Sequence, residues 1–425
     1  MGQIASSARL PVNSRVLAYN TELQMRGNID DIYCSLPMGQ YNRKNESWPM
    51  DSIFASVTDP KSSRTRITLK ENLALPGTSG QTPARGTEED FRTLDMTTWQ
   101  DNYRKVVPAK TYGLLDMEKA QYSLMEKHKD GLGLWNGEEK GLRIRQSFME
   151  RFDLNMANAT SNVWSQIQPL LSWNPNVFIP GLGVTVGGAF QPVWSSNRAT
   201  HTNNIVQGLI RTGGLGQFIG RTLTAPVLED ISNYALARRL KRLKIPGLPT
   251  GYGFVLTVSE LQAALLSNPT VATNNLGSLY VSYERLNDTV QKWRGVIGSY
   301  NDILIICDPR QPTLVPTGSA APFGLTAGYM VWDSTDQRNR TNANVKDTAF
   351  LHGAGSIVRV EGEKLHFIRD SQDYDFRNGV GTAGVRGFQL PIFTDADGNM
   401  VYDCGALIIL DLPNGGAVTS NPPVG

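Results

Sequence analysis

Apolar positions along the chain follow two patterns, unbroken short runs and helical repeats, separated by long polar stretches. The runs are Phe254-Val-Leu-Thr-Val258, Ile303-Leu-Ile-Ile-Cys307 and Ala406-Leu-Ile-Ile-Leu410. Each is too short for a helix and carries no polar alternation, so each predicts a strand buried on both faces. Helical spacing appears at Leu114, Met117, Gln121, Leu124 and His128. It is interrupted by Gly131-Leu-Gly-Leu-Trp135-Asn-Gly137 and resumes at Leu142, Arg145, Phe148, Met149 and Phe152. This predicts one long helix with a break, or two consecutive helices. A second amphipathic helix is expected over Leu223–Ile245. Leu228, Ile231, Ala235, Leu236, Leu240 and Leu243 lie on one side, Arg238, Arg239, Lys241, Arg242 and Lys244 on the other, and Pro246-Gly247 is the stop. A short helix over Ser259–Ser267 has Ser259 as its cap.

The stretch Arg66 to Phe152 opens with an extended arm, Arg66-Ile-Thr-Leu-Lys-Glu-Asn-Leu-Ala-Leu75. It breaks at Pro76-Gly77 and passes through a polar tip over Thr78–Asp90. A second arm follows, roughly Thr93–Pro108. Ile67, Leu69, Asn72 and Leu75 form no clean apolar stripe, and Trp99, Tyr103 and Val107 stand among charged residues. Such a ribbon is expected to find its partners on another molecule, because an isolated two-stranded hairpin is marginal in water.

Residues 1 to about 60 have scattered apolar positions and no sustained period, which predicts an arm that only partners can order. Residues 155–221 are rich in Trp, Gly, Asn and Pro, with strands expected at Asn176–Ile179 and Val184–Val186. A polar loop is expected from Asp308 to about Thr348. The last eighty residues predict strands at Ser356–Val360, Leu365–Arg369, Val385–Phe388 and Gly405–Leu410, with turns at Glu361-Gly362 and Asp397-Gly398.

A length of 425 residues allows two or three domains, and 41 basic against 39 acidic residues leaves too little net charge to hold nucleic acid by bulk attraction. Cys34, Cys307 and Cys404 are far apart and include no CxxC pair, so neither a disulfide framework nor a zinc module is predicted. No apolar run reaches the roughly 18–20 residues of a membrane span, and a soluble protein without membrane contact is expected.

Chemistry is sparse. Gly181-Leu-Gly183-Val-Thr-Val-Gly187-Gly188 has the wrong spacing for a phosphate loop and is better read as a glycine-marked strand pair, while Arg211–Gly220 reads as a loop. Asp395, Asp397 and Asn399 resemble the start of a calcium loop, but Gly398 is misplaced and Ala406 stands where the bidentate Glu belongs, so a hairpin turn is expected. His128, His201, His352 and His366 form no metal-binding spacing. Asp370, Asp373 and Asp375 are flanked by Arg369 and Arg377, which favours charge pairing at an interface. The basic face Arg238–Lys244 reads as solvated or paired with a neighbour's acids, ahead of DNA contact. No catalytic, cofactor-binding or metal residue is assigned.

The order of these features, with Phe254-Val-Leu-Thr-Val-Ser-Glu-Leu-Gln262, Gly295-Val-Ile-Gly-Ser-Tyr-Asn-Asp-Ile-Leu-Ile-Ile306, Gly353-Ala354, Asp373-Tyr374 and Ala406–Leu410, resembles the tailed-bacteriophage major capsid proteins of the Hong Kong 97 type. The resemblance is nearest to the branch typified by phage N-four. It implies an α+β capsid fold with an N-terminal arm (1–60), an extended E-loop hairpin (61–112) and a long spine helix with the first part of a peripheral domain (113–221). An axial domain (222–345) and returning peripheral strands with a C-terminal tail (346–425) complete it. It further implies a non-enzymatic protein, made in the host bacterial cytoplasm, whose copies form hexamers and pentamers of an icosahedral shell. A scaffolding protein, a portal at one vertex, a decoration or cement protein and weakly contacted packaged DNA would be its partners. With Met1 present and only about sixty residues before the ribbon, an uncleaved chain with a separate scaffold is expected. Lys70 and Lys105 are of the type that cross-links in some members, but no motif marks either. Two other readings stay open: a portal or tail component, and a soluble hydrolase whose cleft would join Asp373, Asp375 and His352.

Overall fold

The computed structural model describes residues 31–42, 47–58, 64–70, 93–107, 131–145, 147–148, 177–178, 183–186, 189–192, 222–267, 280–316, 330–333, 346–372, 377–394 and 400–411. The three apolar runs are strands of one sheet, as expected: Tyr252–Val258 pairs in parallel with Ile303–Cys307, and Gly405–Asp411 runs antiparallel to Lys346–His352. Both faces of this central sheet are covered, which is why the runs lack polar alternation. Phe254, Leu256 and Val258 turn to one core with Ile303, Ile305 and the helices Ala225–Ala237 and Glu260–Ser267. Val255, Leu304, Ile306 and Phe350 turn to a second core holding Ile144, Phe148 and the N-terminal segment.

A five-stranded sheet stands beside it in the order Met38–Gln40, Phe54–Thr58, Ile357–Gln372, Arg377–Gln389, Asp101–Val107. Its spine is a long hairpin. Glu361-Gly362, expected to turn the chain, is instead a register shift within the single strand Ile357–Gln372, so the segments foreseen at 356–360 and 365–369 are one strand.

Several expectations are corrected. Residues 31–42 and 47–58 are not an arm waiting for partners: Tyr33, Ile53 and Phe54 are fully buried, and Phe54–Thr58 pairs in parallel with the long hairpin, while residues 1–30 of the expected arm lie outside the described residues. The glycine stretch 131–137 is helical and continuous with 138–145, because Leu132, Gly133 and Gly137 are buried there and tertiary packing outweighs glycine's poor helix propensity. The parts of the spine helix expected at 113–130 and 149–153 lie outside the described residues. The helix begun at Leu223 spans only Ala225–Ala237: Arg239 adopts φ 54°, and Leu243–Lys244 is a strand against Tyr252-Gly253. Leu240 and Leu243 keep their apolar burial without helical backbone. The loop from Asp308 contains two strands, Thr313–Pro316 and Met330–Asp333, paired with each other.

Candidate functional site

The ribbon forms as foreseen, with Arg64–Lys70 antiparallel to Thr93–Trp99 from Arg64 opposite Trp99 to Lys70 opposite Thr93. Over these residues its alternation is clean, contrary to the sequence reading. Thr65, Ile67 and Leu69 face Thr98, Met96 and Leu94 on the buried side, while Arg66, Thr68 and Asp95 occupy the other. The base therefore rests on the chain's own core with Tyr41, Trp48 and Phe393. Tyr41 Oη donates to the Thr68 carbonyl at 2.6 Å. On the outer side Arg66 pairs with Asp95, which also accepts from Thr68 Oγ1 at 2.8 Å, and these donors hold the Asp95 carboxyl below its ordinary range. The tip, 71–92, lies outside the described residues.

The second arm is not one strand. It changes sheets at Gln100, and Asp101–Val107 becomes the outermost strand of the five-stranded sheet, paired with Val380–Arg386. Val106 and Ile368, 57% and 42% exposed, flank Gly381 on adjacent strands. That apolar row, beside the exposed Arg104 and Lys105, is a surface suited to contact between chains.

The chemical candidates are dispersed. His352 is fully buried; its Nδ1 lies 3.1 Å from Ser356 Oγ, its Nε2 3.5 Å from Tyr33 Oη, and Phe148 stands edge-on at 4.9 Å. Burial pushes its pKa down to about 3, so it is a neutral core imidazole rather than a base facing a cleft. Asp373 and Asp375, its proposed companions, lie outside the described residues, as do His128, His201, Asp395, Asp397 and Asn399. The flanks of that last turn pair as expected, Phe393 with Val401 and Thr394 with Met400. Gly183–Val186 and Ala189–Pro192 form the foreseen strand pair. Among the described residues no group of three or more His, Cys, Asp or Glu could hold a metal ion. The basic run Arg238–Lys244 makes no helix face: Arg238 turns inward, 4% exposed, with its guanidinium over the Tyr234 ring. No described helix is long and apolar enough to cross a membrane.

What sequence reasoning missed is a buried charge clip. Arg145 donates from Nε and Nη2 to both oxygens of Asp308, at 2.7 and 2.8 Å, and from Nη2 to Asp31 Oδ2 at 2.9 Å. Its cation lies over the Tyr33 ring. Burial opposes the cation, yet Asp308 and Asp31 push its pKa further up; burial lifts Asp31 against the pull of Arg145. A Cβ on Gly141 would collide with the Asp31 carboxylate, so glycine at that turn of the helix admits the clip. The clip ties the N-terminal segment, the 131–145 helix and the end of Ile303–Cys307 together. Its signal was an arginine on the apolar face of a helix.

No protein-family model and no curated protein sequence matches the chain. Among solved structures, the capsid of Ralstonia phage GP4 matches with TM-score 0.55 and 12% identity, covering 99% of this chain and 97% of that one. The acid-stable capsid of Helicobacter pylori bacteriophage KHP30 matches with TM-score 0.53 and 13% identity over 90% and 91%. The chain thus has the mixed helix-and-sheet fold seen in these two phage capsid chains.

Proposed function

We propose that this chain is a phage major capsid protein, a structural rather than catalytic molecule whose copies build the shell of a virion head around double-stranded DNA. The observation that carries this reading is the fold likeness to a phage capsid chain over nearly the full length of both. The exposed Val106–Ile368 row on the sheet's outermost strand supports it, since it is a surface suited to completion by a second copy. In this reading residues 61–112 are the E-loop, 113–221 and 346–425 contribute the peripheral domain, and 222–345 form the axial domain. Hexamers and pentamers would be the building units, assembled in the host cytoplasm with a scaffolding protein around a portal vertex, with a decoration protein outside and DNA loosely against the inner wall. Negative-stain electron microscopy of the purified chain tests it. Closed shells or capsomer sheets are expected, whereas discrete rings or a population of only monomers and dimers would overturn it.

A further inference from the structure

The five-stranded sheet opens with its shortest strand, Met38–Gln40, which is joined in parallel to Phe54–Thr58. Three residues of parallel ladder hold an edge weakly, so side-chain contacts across it count for more. Gln40 stands opposite Ser56, and Ser56 opposite Arg359 of the long strand Ile357–Gln372. The arginine spans the small serine's position and reaches the edge. Its Nη1 lies 2.8 Å from the Met38 sulfur, while Nη2 binds Glu361 at 2.7 Å.

A thioether is a weak acceptor, so this guanidinium gives one of its N–H groups a poor partner. Met38 is 41% exposed, which leaves the contact open to dissolved oxidants. In an apolar core a methionine sulfoxide is a lesion, because it sets a polar oxygen among apolar atoms. At Met38 the sign reverses: the S=O oxygen is a strong acceptor, and a cationic donor already stands beside the sulfur. Since the side chain is exposed, the sulfur can draw outward by the length of the new bond while the oxygen takes the Nη1 hydrogen.

We propose that Met38 is a peroxide-responsive modification site whose sulfoxide Arg359 captures, tying the edge strand to the long hairpin across Ser56. A sulfur lone pair attacks one oxygen of hydrogen peroxide, and the S–O bond forms as the O–O bond breaks. Sulfur loses two electrons to the peroxide. The leaving hydroxide then takes the proton from the transferred oxygen and becomes water. None of this requires the chain to build a shell.

The test takes the full chain, Met38→Leu, Arg359→Gln and the double variant, each before and after the same limited treatment with hydrogen peroxide. Oxidation at every other methionine and cysteine is then common to both members of a pair and cancels. Peptide mass spectrometry locates the added oxygen, with Met50, 44% exposed, as the internal reference. Met38 is expected to be oxidised at least as fast as Met50, because the Arg359 donor also steadies the departing hydroxide. Relative to Met38→Leu, the treated parent should gain about 2 °C in its unfolding midpoint. That gain should vanish or change sign when Arg359→Gln and the double variant are compared. The loss of the Glu361 pair is shared by those two chains, so a generally weakened fold does not blur the reading. Met38 still reduced when Met50 is fully converted, oxidation at Met38 that fails to raise the midpoint, or an equal rise without Arg359 would each overturn the proposal.

Discussion

Arg145 grips Asp308 with two parallel hydrogen bonds across 163 positions of sequence, in a site where both side chains are almost fully buried. Removing one partner of such a pair leaves an uncompensated charge in a poor solvent. Arg145→Met is therefore expected to cost about 3–5 kcal/mol, read as a lower urea midpoint with an unchanged slope. A double variant with Asp308→Asn should lose clearly less than the sum of the two single changes, because the second substitution removes the charge stranded by the first.

Gly141→Ala provides an opposite sign to ordinary helix behaviour. On a helix interior that exchange normally gains up to about 1 kcal/mol. Here the new methyl meets the Asp31 carboxylate, so the expectation is a loss of stability, with Asp31→Ala/Gly141→Ala recovering part of it. A stabilised single variant, measured by thermal unfolding, would refute the placement of Asp31 against this helix.

His352 sets a pH dependence. Its pKa is about 3 in the folded chain against 6.5 when exposed, so the unfolded chain takes up the proton first. Stability from this group is intact above pH 6.5 and declines as pH falls toward 3. Burial raises Asp31, which works in the opposite direction because the folded state there holds the proton more tightly. Urea unfolding at several pH values between 7 and 4 should show a slope that is reduced in His352→Gln, whatever offset the substitution adds at neutral pH.

If the chain builds shells as proposed, the base and the tip of the ribbon are expected to respond differently to change. Deleting Gly77–Asp90 is expected to leave a folded subunit, since the packed base at Ile67, Leu69, Leu94 and Met96 is untouched, while shells no longer form. Ile67→Ala, by contrast, should destabilise the subunit itself by about 2–5 kcal/mol. Normal particles from the deletion variant in the electron microscope, or an unchanged unfolding midpoint for Ile67→Ala, would each contradict this division.

Much of the element content was legible before any coordinates. Apolar runs at 254–258, 303–307 and 406–410 announced strands sealed on both faces, Ser259 announced a helix start, and the flanks of 395–399 announced a hairpin. The errors share one origin. Leu240 and Leu243 match a helical period yet are buried without helix; Gly131–Gly137 looks like a break yet is helical; Trp99 and Tyr103 look like one arm yet belong to different sheets. In each case long-range packing overrode the local preference.

By itself the sequence determined the three apolar strands, the helix start at Ser259 and the strand pairs at 183–192 and 393–401. Tertiary structure alone decided that Phe54–Thr58 joins the long hairpin, that the base of the ribbon rests on its own core, and that Arg145 meets two carboxylates. Side-chain period and backbone propensity are carried by neighbouring residues, so they can be read along the chain. Strand partners and buried charge pairs depend on groups hundreds of positions apart, and only the packed molecule brings them within reach.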